Sequence, residues 1–250
     1  KTKNNQGIDI VMAIDVSASM LAKDLKPNRL EALKNVASNF ILDRINDRIG
    51  LVEYAGESYT KTPITCDKNI ILKSLNEINY NTIIEGGTAI GMGLATSVNR
   101  IKDSKAKSKV IILLTDGVNN SGFIDPNTAA ELAIEYGIKI YTIGLGTNGM
   151  ALSPVGVDNN GKFSYAKIQV EIDENLLKEI ADITGGKYFR ATDNQKLQEI
   201  YSEINKLEKS DVEEIKYYNQ QEKYRFYILL AIIFLTTEII LKYTFFRSFI

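Results

Sequence analysis

Four apolar runs, separated by segments of helical period, constrain the fold of this chain more than any other feature. They are 8–15 (IDIVMAID), 47–55 (DRIGLVEYA), 109–116 (KVIILLTD) and 137–146 (GIKIYTIGLG). A strand that is apolar at nearly every position has no face for water, so it belongs inside a parallel sheet covered on both sides. The run 58–65 (SYTKTPIT) alternates instead, and Pro63 places it at a sheet edge. Between the strands, 29–45 repeats apolar residues at Leu30, Leu33, Val36, Ala37, Phe40 and Ile41, a helical spacing. Helices are likewise expected over 68–78, 89–102, 126–136, 173–184 and 194–209, with Asp173 as an N-cap and Gly185-Gly186 as a stop. A short strand at 187–191 (KYFRA) closes the series. Alternation of this kind predicts an α/β fold, a doubly wound, mostly parallel sheet flanked by helices in the Rossmann manner.

One stretch breaks the rhythm. Residues 147–172 separate a strand from the next helix, and Asn159-Asn160-Gly161 is a turn signal between 154–157 and 162–170, so a hairpin insertion is expected. The C-terminal end departs in another way. Residues 226–241 read FYILLAIIFLTTEIIL, with Glu238 as the only charge, flanked by Lys223, Arg225, Lys242 and Arg247. With its flanks it reaches the ~20 residues of a bilayer-crossing helix. The expected organisation is a domain over 1–209 containing the 147–172 insertion, a charged juxtamembrane stalk at 210–223, a transmembrane helix at 224–246 and a tail at 247–250.

Composition narrows the chemistry. The chain has no histidine, which removes Ser-His-Asp and Cys-His catalysis and imidazole metal sites. A single cysteine, Cys66, permits no internal disulfide and no thiolate cluster. Thirty Lys and Arg against thirty-one Asp and Glu give no basic field for nucleic acid, and no nucleic-acid partner is expected. What remains is oxygen. Ligands of open α/β sheets bind beyond the carboxyl ends of the strands, and three oxygen-rich segments fall there. Asp15, Ser17 and Ser19 follow the first strand at alternate positions; Asp116 and Gly117 end the 109–116 run; between them Glu85-Gly86-Gly87-Thr88 opens a helix. Two acids and three hydroxyls suit a hard divalent cation, Mg²⁺ first, with Mn²⁺ or Ca²⁺ as alternatives.

The segments DVSASM, GGTAIGMGLA and LLTDGVNNSG resemble, in order and spacing, the three parts of the metal-ion-dependent adhesion site of von Willebrand factor type A domains. The resemblance implies Asp15, Ser17, Ser19, Thr88 and Asp116 as metal ligands, with a partner's Asp or Glu completing the coordination. Met20, Gly87, Gly117, Asn119 and Asn120 are expected on the partner-binding rim. Further segments, among them KPNRLEALK, DRIGLVEYAGESY, PITCDK and the terminal anchor, are similar to the bacterial Bat aerotolerance-type membrane proteins, BatA more than BatB. That likeness implies an inner-membrane protein with its domain on the periplasmic face, associated with sibling Bat proteins and a MoxR-type AAA+ ATPase. It also implies membrane segments preceding Lys1.

The expected function is non-enzymatic, Mg²⁺-dependent protein recognition. Two rivals stand beside it: a scaffold subunit held by helices and anchor with an idle metal site, and a Mg²⁺-dependent hydrolase. The last finds no Gly-x-x-x-x-Gly-Lys phosphate loop and no positioned base in the sequence.

Overall fold

Strand β1 (Asp9–Asp15) is buried at every position and lies in the middle of the sheet, as its unbroken apolar composition requires. The computed structural model describes residues 7–80, 86–157, 163–211 and 224–244. In parallel register β1 pairs with β2 (Arg48–Tyr54) on one side and β4 (Lys109–Thr115) on the other. Strand β3 (Ser58–Thr65) adds antiparallel to β2 at the edge, where Pro63 lacks a ladder hydrogen bond at no cost. On the far side β5 (Ile138–Leu145) pairs parallel with β4, and β8 (Tyr188–Ala191) with β5. The sheet order is β3-β2-β1-β4-β5-β8. The chain therefore reverses its direction of winding between β1 and β4, which is where such sheets open a crevice.

Successive β1 residues divide between two cores. Ile10, Met12 and Ile14 join one apolar cluster with Leu33 and Ile41 of α1 (Arg29–Asp43), Ile71 and Leu75 of α2 (Lys68–Glu77), and Leu197, Ile200 and Ile204 of α6 (Asn194–Asp211). Val11 and Ala13 join the other, with Leu94 and Val98 of α3 (Ile90–Ile101), Ala129 and Ala130 of α4 (Pro126–Glu135), and Leu177 and Ile180 of α5 (Glu174–Ile183). Helix starts are fixed locally. Asn28 caps α1 through the Glu31 N–H, Asp67 caps α2, Asp125 caps α4 ahead of Pro126, and Asp173 caps α5 as expected.

The insertion folds as a two-stranded antiparallel hairpin, β6 (Gly149–Val157) with β7 (Phe163–Val170). Its first arm starts five residues before the expected 154, because the ladder continues back to Gly149 opposite Val170. The turn Asn159-Asn160-Gly161 and most of the stalk lie outside the described residues.

The chain divides into two units, Lys1–Val212 and Glu213–Ile250. In the second, α7 (Tyr224–Thr244) is a 21-residue helix, and its apolar side chains, Leu229, Ile232 and Phe234 among them, are exposed. Among the described residues no helix is long and apolar enough to cross a membrane; side chains of α7 are described over 227–241 only.

Candidate metal centre

The site forms where β1 and β4 end. Asp15 is the last residue of β1, 0% exposed. Its carboxylate accepts the Ser17 backbone N–H at 2.8 Å on one oxygen and the Thr115 hydroxyl at 2.7 Å on the other. Ser17 and Ser19 follow on the loop into a short 3-10 turn at Ala18–Leu21, and their hydroxyl oxygens are 2.9 Å apart. The Ser19 hydroxyl donates to Asp116 Oδ1 at 2.7 Å. One acid at the end of β1, two loop hydroxyls and one acid directly after β4 thus meet across the switch point of the sheet.

Thr88 arrives from the Gly-rich loop and is buried beside Gly117. Two amides hold that loop. Asn120 Oδ1 accepts the Thr88 N–H and Asn119 Oδ1 accepts the Ile90 N–H, each at 2.8 Å. Gly87 is obligatory at the turn: its φ is +108°, and a Cβ there would come within 2.0 Å of Ser121 Oγ. Glu85, the start of this loop in the sequence reading, lies outside the described residues.

The rim departs from the expectation at one residue. Met20 is 0% exposed and packs in the α1-side core, because the 3-10 turn points its side chain inward. Asn119 and Asn120 spend their carbonyl oxygens on the Thr88 loop, and with Asn119 half-buried and Asn120 exposed they brace that loop from its accessible side. Gly87 and Gly117 remain partly accessible. Val118 and Phe123, 44% and 86% exposed on the loop after Asp116, add apolar area there.

Arg29, also unforeseen, is a further member. It is 0% exposed, and its NH1 donates to Asp116 Oδ2 at 2.6 Å. Nε and NH2 grip Asp24 at 2.7 and 2.6 Å. KPNRLEALK carried this residue in the sequence, but nothing local says that its partners lie 5 and 87 positions away.

The donor set fits a hard dication. Neighbouring ligands of an octahedral ion with bonds of about 2.0–2.1 Å are roughly 2.9 Å apart. The Ser17–Ser19 and Ser19–Asp116 oxygen separations, 2.9 and 2.7 Å, are of that size. The charges agree. Asp15, Asp24 and Asp116 against Arg29 leave a formal −2 (three acids less one guanidinium) in a buried crevice. Burial, with the neighbouring Asp116 charge second, pushes Asp15 up to about 7, and burial raises Asp116 as well. Desolvation thus disfavours the charged form of both acids, and at Asp116 the Arg29 guanidinium works against it. Among the described residues no group of three or more His, Cys, Asp and Glu forms a metal cluster; the site is built from hydroxyls and only two acids.

The family model for the von Willebrand factor type A domain matches residues 9–203, and proximal thread matrix protein 1 from the mussel byssus, a structure that shares the fold at 24% identity and TM-score 0.62 over 81% of this chain and 46% of that one, has a zinc-occupied adhesion-site motif. The crystal structure of the conserved hypothetical protein BatB from Bacteroides thetaiotaomicron is 30% identical, with a TM-score of 0.67, covering 81% of this chain and all of that one. An aerotolerance-related membrane protein from Bacteroides fragilis is similar at 29% identity and TM-score 0.67, covering 80% of this chain and 100% of that one. An uncharacterised protein of Borreliella burgdorferi is 32% identical over 94% of this chain, which spans 70% of that relative's length. Other curated relatives are longer still by comparison, the chain spanning 59% of one from Mycolicibacterium paratuberculosis. The chain belongs to the von Willebrand factor type A domain family and is related within it to the Bat aerotolerance proteins.

Proposed function

We propose that this protein is a membrane-anchored recognition domain in which Mg²⁺, held by Asp15, Ser17, Ser19, Thr88 and Asp116, receives a carboxylate from a protein partner. The observation that carries the reading is the continuous run of hydrogen bonds from the Asp15 carboxylate through the Ser17 N–H and the Ser17 and Ser19 hydroxyls to Asp116 at the sheet's switch point. A bound dication would supply a directional acceptor for an incoming Asp or Glu. The chain's own residues do the rest. Asp15 and Asp116 set the charge, Thr115 and Arg29 hold the far carboxylate oxygens, and Asn119 and Asn120 fix Thr88. Val118 and Phe123 give a partner apolar area beside the carboxylate, as buried contact around a charged anchor requires.

The anchor is the 224–246 segment. Its support is the apolar run in the sequence and the exposure of the α7 side chains, a face that water does not tolerate over such a length. By kinship with Bat proteins we place it in a bacterial inner membrane with the domain periplasmic, in a BatA-like assembly with sibling Bat proteins and a MoxR-type ATPase. The reading is non-enzymatic. One observation favours the idle-site alternative: Arg29 gives Asp116 a counter-charge from within the chain.

Affinity capture of the full chain from native membranes, in Mg²⁺ and in EDTA, with wild type and Asp15→Ala, decides between them. A partner recovered only by wild type with Mg²⁺ supports metal-bridged recognition. The same partners in all four samples would mean that helices and anchor hold the assembly.

A further inference from the structure

Arg29 sits at the centre of a chain of contacts that runs from the metal acid to the insertion. On one side it holds Asp116 Oδ2. On the other its fork holds Asp24, and Asp24 Oδ2 accepts the backbone N–H of Thr147 at 3.0 Å and the Thr147 hydroxyl at 3.4 Å. Thr147 is the root of the hairpin. Gly146, at φ +110°, lies so close over the guanidinium that a Cβ would come within 2.4 Å of NH2. The hairpin is seated on the same loop a few residues on. Lys23 N–H donates to Leu152 O of β6 at 3.0 Å, and the Lys23 ammonium lies 4.0 Å from the centre of the Tyr165 ring of β7. The loop that carries Ser17 and Ser19 is therefore tied to the hairpin at both Lys23 and Asp24.

We propose that Arg29 is a positioning residue that couples occupancy of the metal site to the seating of the 147–170 hairpin. The proposal rests on the metal-site reading above. A buried guanidinium shared by two carboxylates divides its charge between them. Positive charge arriving on the Oδ1 side of Asp116 weakens its hold on Arg29 and repels the guanidinium, whose other partner is Asp24. The Asp24 contact to Thr147 then readjusts, and Gly146 leaves no slack to absorb the change. By linkage the effect is reciprocal: a partner that grips the hairpin changes the affinity for the cation by the same factor. The hairpin thus reports, and regulates, the state of the metal site.

The test is hydrogen exchange of the hairpin amides in the full chain in detergent micelles, with and without Mg²⁺, beside calorimetric titration of Mg²⁺. In wild type, Mg²⁺ binding should change exchange over 147–157 by at least about fivefold. Asp24→Asn leaves the whole guanidinium charge on Asp116. It should weaken Mg²⁺ binding by about fivefold or more and leave hairpin exchange insensitive to Mg²⁺. Arg29→Lys keeps the charge without the fork, so its hairpin should not respond even where Mg²⁺ still binds. Wild type that binds Mg²⁺ with unchanged hairpin exchange overturns the coupling and leaves the metal site standing, as does Asp24→Asn with wild-type affinity and response. Wild type that binds no Mg²⁺ overturns the metal-site reading and the coupling with it.

Discussion

Replacing Asp15 by Asn should stabilise the cation-free protein in alkaline buffer while destroying its response to Mg²⁺. Asp15 is wholly buried, and its ionisation is pushed from an ordinary 3.8 to about 7, by desolvation first and by the Asp116 charge second. A native acid with a raised pKa holds a proton that the unfolded chain has lost. Stability therefore falls as pH rises from about 4 to about 7, and the full penalty is present above that. For this displacement the penalty is on the order of 4 kcal/mol at pH 8. The amide side chain has no such term. Against it stands a lost acceptor: Asp15 takes hydrogen bonds from Ser17 N–H and the Thr115 hydroxyl, and an amide accepts on one atom only, at a cost of about 1–2 kcal/mol. The net gain at pH 8 is about 2 kcal/mol, roughly 5 °C in the melting temperature of the domain. At pH 4 the ionisation penalty is nearly absent and the same substitution should be destabilising. Thermal melts of both proteins in EDTA at pH 4 and pH 8, repeated at pH 8 with Mg²⁺, show the crossover. An Asp15→Asn protein that melts below wild type at pH 8 in EDTA, or gains as much as wild type from Mg²⁺, would refute the reasoning.

Three further outcomes follow from the same geometry. Because protons and the cation compete for Asp15, the Mg²⁺-induced rise in melting temperature of wild type should grow from pH 4 to pH 7 and level off above; a rise independent of pH would place the cation elsewhere. Gly87→Ala puts a Cβ on Ser121 Oγ at a positive φ and should cost about 2–4 kcal/mol in denaturant unfolding. It should also weaken Mg²⁺ binding, since Thr88 is the next residue. Leu33→Ala, on the buried face of α1, should cost about 3 kcal/mol with the Mg²⁺ increment unchanged, which separates loss of fold from loss of site.

Much of this architecture is written in local sequence. β1 and β4 are apolar at almost every position, so two covered faces were the only solution, and the acids that end them mark the crevice. Asn28, Asp67 and Asp125 each cap a helix through contacts within three residues, which a sequence pattern can carry. The opposite holds for Arg29. Its role depends on Asp116, 87 positions away, and on a fold that closes Gly146 over it. Met20 misled because adjacency to Ser19 suggests the rim, whereas the 3-10 turn carries it into the core. For Asn119 and Asn120 the motif gives the place on the rim, and the loop geometry adds that the Ile90 and Thr88 amides take their oxygens. The early start of β6 was hidden because Met150, Ala151 and Leu152 show no polar alternation to mark a strand.

The central claim is that the oxygens of β1, the Gly-rich loop and β4 hold one divalent cation. Crystals of the protein grown with Mn²⁺ test it through anomalous scattering. The account predicts a single strong peak enclosed by the Asp15 carboxylate, Ser17 Oγ, Ser19 Oγ, Thr88 Oγ1 and the Asp116 carboxylate. A map without that peak, with Arg29 and the Ser19 hydroxyl still on Asp116 in saturating Mn²⁺, would contradict it.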